Sequence, residues 1–388
     1  MNINKQKPVY IIAEAGVNHN GSLEMAKKLI DIAADAGADA VKFQTFTADN
    51  LLKKGTKKAP YQLVSTGSEA DQYQMIKDLE LSPEAHFMLA DYAKSRNIDF
   101  LSTPFDIPSA KFLAEKFKLP YMKVPSCDLT NAPLLYEIAK SNKKIILSTG
   151  MSKSDEIEEA LGVISFAWEN TGEKPSEAAF KRSYNHPETQ KILAEGVTLM
   201  HCISNYPAPR DAMNLNAIKT MSNKYNIPVG YSDHSLGIDI ALMAVALGAN
   251  TIEKHFTIDK NLPGPDHPAS LDAKELKEMV SEIRKIEKLR AEGKSPSQYI
   301  DSVADAKIVM GSGVKEPHAC ELQNIVPMRK SLVANSDIKK GQVIKAENII
   351  AKRPAVGIPP IKYWEIIGST AEKDYTKDEE FISPIKSV

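Results

Sequence analysis

Eight short apolar runs, spaced along the first 290 residues, each break off into a polar or charged residue. They cover residues 9–13, 38–43, 99–102, 121–124, 144–148, 197–201, 229–231 and 251–255. Between them lie stretches with helical spacing at 23–36, 83–96, 108–117, 132–141, 153–166, 238–247 and 273–289. Strand–helix units repeated eight times over this length predict an α/β fold, the closed (β/α)8 TIM barrel. An open doubly wound sheet is the alternative, but no GxGxxG turn follows the first run, where a dinucleotide-binding sheet needs one. In a closed parallel barrel the chemistry sits where the strands end, so residues distant in sequence share one pocket. Glu14 ends the first run, Lys42 and Gln44 mark the second, and His234 and His255 close the last two. The chain reads as an enzyme.

Two places break the rhythm. Residues 169–196, rich in Pro, Ser, Glu and Lys, exceed the usual connection of about 2–6 residues and read as an insertion on the barrel's N-terminal side. Past residue 290 the chain turns polar, so 1–290 is assigned to the barrel and 291–328 to a linker. From 329 to 388, β-like runs at 331–334, 342–344, 349–352 and 364–367 alternate with turn residues. A β-rich domain of about 60 residues has too small a core for much stability unless it docks on something.

Composition narrows the partners. Lysine plus arginine (49) nearly cancels aspartate plus glutamate (50), with no long single-sign block, so nothing suggests a nucleic-acid or membrane surface and the expected partner is a small molecule. The cysteines, Cys127, Cys202 and Cys320, form no CxxC, which argues against a disulfide framework or structural zinc and suits a reducing cytoplasm. No leader-like apolar stretch precedes the first strand, and no run reaches the roughly 18 residues of a membrane helix.

The opening Ile11-Ile12-Ala13-Glu14-Ala15-Gly16-Val17-Asn18-His19-Asn20-Gly21 is joined by Val41-Lys42-Phe43-Gln44, Ser102-Thr103-Pro104-Phe105 and Ser148-Thr149-Gly150-Met151. Gly230-Tyr231-Ser232-Asp233-His234 and Glu253-Lys254-His255-Phe256 complete the set. In this order and spacing they resemble the sialic acid synthase family of nonulosonate synthases. Arg329-Lys330-Ser331-Leu332, Asp337-Ile338-Lys339-Lys340-Gly341 and Lys352-Arg353-Pro354 resemble that family's C-terminal antifreeze-like (SAF) domain, which is similar to type III antifreeze protein. The resemblance implies a transferase that condenses phosphoenolpyruvate with an open-chain N-acetylated mannose derivative, releasing phosphate by C–O cleavage and leaving a nine-carbon 2-keto sugar acid. It also implies a divalent metal, manganese first, with magnesium or cobalt as the other ions. The first expectation is N-acetylmannosamine as acceptor, giving N-acetylneuraminate; the alternative is 2,4-diacetamido-2,4,6-trideoxymannose, giving N,N'-diacetyllegionaminate.

Residue by residue, His234 and His255 end successive strands, within reach of one ion that polarises the aldehyde. Lys42 and Lys123 are cations inside apolar strands and need an anion, either the substrate's phosphate and carboxylate or an ion pair with Glu14 or Asp128. Gln44 shares a face with Lys42 by the period of two. Thr103, Ser126 and Ser204 are hydroxyls at strand ends, placed to donate to phosphate oxygens. Glu14 is a catalytic carboxylate, and Asn18 and His19 either line the pocket or shape its first loop.

By the resemblance, Tyr206 and Asp266 contact the substrate or its hydroxyls, and Phe105 packs against it. Arg353 reaches a neighbouring subunit's site and holds the acetamido group, which implies a domain-swapped homodimer. Where the family shows Gly-Ser-Gly-Glu, this chain has Pro125-Ser126-Cys127-Asp128, and Asp128 is assigned the catalytic role of the longer glutamate. His201 and Cys202 are packing residues. A Schiff-base aldolase through Lys123 or Lys254 is the competing enzyme class, although Lys254 should point out of the barrel because Glu253 and His255 share the opposite face. A non-catalytic carbohydrate- or ice-binding protein leaves the polar strand ends unexplained.

Overall fold

A computed structural model of the chain describes residues 8–66 and 71–382; the first seven residues, expected to run leaderless into the first strand, lie outside them. Eight parallel strands form the barrel: β1 (Tyr10–Gly16), β2 (Ala40–Thr45), β3 (Asp99–Pro104), β4 (Tyr121–Val124), β5 (Lys144–Ser148), β6 (Val197–Cys202), β7 (Val229–Asp233) and β8 (Thr251–His255). The hydrogen-bonded order runs β3-β2-β1-β8-β7-β6-β5-β4, and β3 and β4 adjoin at the seam. Ile12, Ala40, Leu101, Ile146 and Met200 fill the interior below the functional layer, while Ile11, Ala13, Val41 and Phe43 point outward into the helical shell. That alternation carries the polar residues at the strand tops inward, and the register sets Glu14 beside Lys42 on one side and His255 on the other.

Three features add to the sequence reading. The helix Asn216–Tyr225 was not predicted, because its apolar positions are sparse; it buries Ala217, Ile218, Met221 and Tyr225. The insertion is two helices, Glu177–Tyr184 and Pro187–Gly196. The linker carries the helices Gln298–Asp301, Ala306–Met310 and Ala319–Met328, the last of which closes over the barrel mouth. Its buried face holds Glu321 and Asn324 in place of an apolar stripe, so hydrophobic periodicity does not reveal how it docks.

The tail domain is built on the antiparallel pair β9 (Ser331–Ala334) and β10 (Ile349–Lys352), around Leu332, Ile338, Ile344, Ile366 and Phe381. The run 342–344 makes only an isolated bridge, Val343 to Thr370, and the fourth run is a helical turn, Tyr363–Ile366. No helix among the described residues is long and apolar enough to cross a membrane.

Candidate active site

Every residue expected at the site except Asp128 lines one cavity at the C-terminal end of the barrel. At its floor lies a chain of buried charges. Lys42 Nζ is 2.7 Å from Glu14 and 3.6 Å from Glu253, and Lys123 Nζ is 3.6 Å from the other oxygen of Glu253. Lys42 also donates to Thr103 Oγ1 at 2.9 Å and Lys123 to Ser148 Oγ at 2.7 Å. Burial pushes the Glu14 carboxyl up to about 7, helped by the neighbouring charge of Glu253 and opposed by Lys42. Burial would raise Glu253 as well, but Lys123 and Lys42 together hold it down to about 2. Glu14 is therefore the carboxyl that can exchange a proton near neutrality, and Glu253 is the fixed anion between the lysines.

Hydroxyls gather beside this floor. A Cβ on Gly150 would lie 2.2 Å from Ser204 Oγ and 2.9 Å from Ser126 Oγ, so only glycine leaves room for both. Gly150 N donates to Ser126 Oγ at 3.0 Å. The Ser204 backbone is set from the linker: Glu321, fully buried, accepts from Met151 N at 2.7 Å and Ser204 N at 2.8 Å, and Asn324 Nδ2 donates to Ser204 O at 2.8 Å. Glu321→Ala leaves two buried N–H groups without an acceptor, at about 1–3 kcal/mol each. A loss of thermal stability in that range, with weakened inorganic phosphate binding by calorimetry, is the expected result.

His234 and His255 face each other with ring centroids 5.7 Å apart, and Tyr206 stacks on His234 at 4.1 Å. Burial drives both imidazoles down, His234 to about 4, so both are neutral at physiological pH. His234 Nδ1 donates to Ile203 O at 2.7 Å, so Nε2 carries the lone pair, with Ser232 Oγ 3.4 Å from it, and His255 Nδ1 is buried with no hydrogen-bond partner, 3.9 Å from Asp266. Burial raises Asp266 to about 6. Two neutral imidazoles with one nitrogen unsatisfied fit a divalent cation held at an open site. Among the described residues no three His, Cys, Asp or Glu side chains form a closed ligand set.

The mouth is partly apolar, with Val17, Phe46, Leu51, Ile76, Phe105, Met151 and Met328 on its walls. Arg353 enters from the end of β10 of this same chain: its backbone N donates to Leu51 O, Nη1 reaches Gln72 Oε1 at 3.4 Å and Nη2 reaches Cys127 Sγ at 3.4 Å. Within the single chain described, Arg353 reaches the cavity of its own barrel. Asp128 is placed elsewhere. Its carboxylate lies 2.8 Å from Lys330 Nζ and accepts from Asn131 at 2.7 Å, with both members of the ion pair buried, so it is a tether for the tail and not a pocket acid. Asn18 shapes its loop, donating to Phe256 O and Ser270 Oγ, and His19 Nδ1 accepts from Gly21 N. His201 bonds Met213 O, and Lys254 points out of the barrel onto Asp233 at 2.7 Å.

Sequence reasoning missed Glu253, Ser148, Tyr61, Gln62 and Glu321 as parts of this arrangement. Glu253 was within reach, since it precedes His255 by two positions on one strand, as Lys42 precedes Gln44.

Burial also fixes the acid limit of the fold. His19 and His234 are lowered to about 4, His201 to about 3 and His267 to about 4, all by burial. Each takes up a proton in the unfolded chain near its ordinary 6.5 but not in the folded one, so stability is complete above about 6.5 and is lost as pH falls toward 4, at roughly 1.4 kcal/mol per pH unit per histidine. Glu14, Asp106, Glu159 and Asp266 are raised and act in the opposite sense over part of this window, but His86 and His255 are lowered as well, so six imidazoles face four carboxyls. Melting temperatures between pH 4.5 and 7 should therefore rise with pH.

The fold and this site define a (β/α)8 enzyme with a chain of buried, paired charges at the barrel mouth beneath a docked C-terminal cap. The chain belongs to the NeuB family, whose profile matches residues 29–295, and carries a SAF domain at residues 329–379. It is 47% identical over 373 residues to the N,N'-diacetyllegionaminic acid synthase of Campylobacter jejuni, covering 96% of this chain and 98% of that protein. It is 41% identical to the protein of the same name from Legionella pneumophila, covering 93% and 89% of the two chains. Among solved structures, spore coat polysaccharide biosynthesis protein SpsE from Bacillus subtilis superposes with a TM-score of 0.75 at 32% identity, covering 98% of this chain and 96% of that one.

Proposed function

We propose that this chain condenses phosphoenolpyruvate with open-chain 2,4-diacetamido-2,4,6-trideoxymannose and water, giving N,N'-diacetyllegionaminate and inorganic phosphate. The observation that carries the reading is the floor of the cavity, where Lys42 and Lys123 share one anion, Glu253, beside the hydroxyls of Thr103, Ser126, Ser148 and Ser204. These are donors suited to a phosphate and a carboxylate on one small molecule. The acceptor is chosen over N-acetylmannosamine for two reasons. The relatives named for diacetyllegionaminate are 47% and 41% identical to this chain. The apolar mouth also suits a 6-methyl group and a second acetamido methyl better than the corresponding hydroxyls.

In the reaction, C3 of the enolpyruvate attacks the sugar aldehyde carbon, water adds to C2, and the C2–O bond breaks to release phosphate. Glu14, poised near 7, holds the proton taken from the water or returns one to the new sugar hydroxyl. Lys42, Lys123 and the hydroxyls bind the phosphoenolpyruvate charges and follow the phosphate as it leaves. Tyr206 and Asp266 orient the sugar, Gln44 holds Glu14 at 3.4 Å, and Arg353 takes an acetamido carbonyl against Phe105. His234 and His255 would hold a divalent cation, manganese first, which supplies Lewis-acid polarisation of the aldehyde. A homodimer of this chain is compatible with the reading.

The test is phosphate release from phosphoenolpyruvate with manganese, run in parallel with the two sugars. Release with the diacetamido sugar that stops on chelation is expected. Release with N-acetylmannosamine alone would move the assignment to N-acetylneuraminate, and silence with both would overturn the condensation.

A further inference from the structure

We propose that the two-helix insertion is a seat for the C-terminal domain and, through that domain, a determinant of acceptor-sugar binding. A barrel needs only a short connection between the helix Ser154–Glu169 and β6, yet here two helices intervene. They are fixed firmly to the barrel. A Cβ on Gly162 would lie 2.8 Å from Phe180 O, so the helices Ser154–Glu169 and Glu177–Tyr184 meet backbone to backbone at a glycine. Glu169 accepts from Ser183 Oγ at 2.7 Å and from Thr189 Oγ1 at 2.9 Å, which ties both inserted helices to the end of the barrel helix. Phe180 packs edge-on against Phe166 at 5.3 Å.

The face this presents is taken by the tail. Trp364 sets its indole edge-on to Phe180 at 5.3 Å and to Tyr136 at 5.6 Å, one ring from the insertion and one from the barrel. Lys362 Nζ lies 2.6 Å from Glu177, but this pair is partly exposed and adds little; the aromatic contact carries the attachment.

The seat is linked to the cavity by a stiff stretch of chain. Between Arg353 and Trp364 stand Pro354, Pro359 and Pro360, each with φ restricted by its ring. Ser331 Oγ donates to Pro354 O at 2.7 Å and Ile358 N to Phe381 O at 2.7 Å, so the stretch is also bonded to the domain's own core. Fixing Trp364 on Phe180 therefore limits where Arg353 can stand. Lys330 and Asp128 hold the other side of the domain, and without the aromatic seat the domain can pivot about that ion pair and withdraw the guanidinium from Phe105 and Cys127. Phe180 and Trp364 are positioning residues that touch no substrate.

This inference rests on Arg353 acting on the acceptor, as proposed above, and its test separates the two. Trp364→Ala and Phe180→Ala should each raise KM for the diacetamido sugar about tenfold while leaving KM for phosphoenolpyruvate within about twofold. In an Arg353→Ala background Trp364→Ala should add nothing to the sugar KM, which a general loss of stability would not reproduce. Trp364→Phe, which keeps a ring at the seat, should restore most of the loss. Independently of turnover, hydrogen exchange at residues 349–366 should rise in Trp364→Ala, with the barrel strands unchanged. An unchanged sugar KM, or a loss that adds to that of Arg353→Ala, overturns the coupling. If the wild-type protein turns over neither sugar, the reading of the site fails, and unchanged exchange in Trp364→Ala would then overturn the seat as well.

Discussion

Lys42→Met is expected to lower turnover by at least about a thousandfold, because it removes the cation nearest Glu14 and one of the two proposed to bind the substrate's charges. Methionine fills much of the same volume, so the change is mainly electrostatic. Lys42 and Glu14 are 3% and 2% exposed, and breaking a buried pair by deleting one partner costs about 3–5 kcal/mol, since the remaining charge keeps its desolvation penalty. For a chain of this size that corresponds to a fall in Tm of roughly 4–6 °C. The sign of its pH dependence follows from Glu14. The carboxyl is already raised to about 7 with Lys42 pulling it down, so in the variant it must go higher. A raised carboxyl binds its proton more tightly in the folded state, so its contribution is present at low pH and is lost as pH rises. The Tm gap between wild type and Lys42→Met should therefore widen from pH 5.5 to pH 8. Calorimetry at both pH values checks it, and a gap that narrows would mean that Glu14 finds another cation.

The second large effect is expected at Lys330→Met. Lys330 Nζ is 2.8 Å from Asp128, with side-chain exposures of 1% and 0%, and it also donates to the carbonyl of Phe105. Deleting it strands Asp128 at a cost of about 3–5 kcal/mol and frees the tail domain from the ends of β3 and β4. Because Asp128 closes the turn that begins at Ser126, and Phe105 lines the mouth, both substrates' KM values should rise with the loss of stability. The double variant Lys330→Met/Asp128→Asn keeps the shape but removes the stranded charge, so it should recover stability relative to Lys330→Met alone. A coupling of about 2 kcal/mol or more in that double-mutant cycle is expected from denaturant unfolding; additive effects would show that the two side chains do not depend on each other.

These two ion pairs mark the boundary between what could and could not be read in advance. Lys42 was expected to need an anion, and Glu14 was among the partners considered, because a cation in an apolar strand has to be matched by something. Lys330 gave no such signal. It opens the small tail domain, where an exposed lysine is unremarkable, and only the docking of that domain removes it from water. Asp128 was misassigned for the same reason. Its place in the motif suggests the pocket, but its partner, Lys330, comes from the start of the tail domain.

What the sequence determined by itself is the barrel and the inward ring of its strand tops. Strand alternation is a local property with a period of two, so once eight apolar runs are recognised, Glu14, Lys42, Gln44, Lys123, His234 and His255 must converge. What only the tertiary structure decided is everything placed by long-range docking: Glu321 on the loops after β5 and β6, Lys330 on Asp128, Arg353 over Phe105, and Trp364 on the inserted helix. Each of these contacts joins segments far apart in the chain through polar or aromatic groups with no periodic pattern. Their burial is a consequence of packing between domains, which no local window of sequence contains.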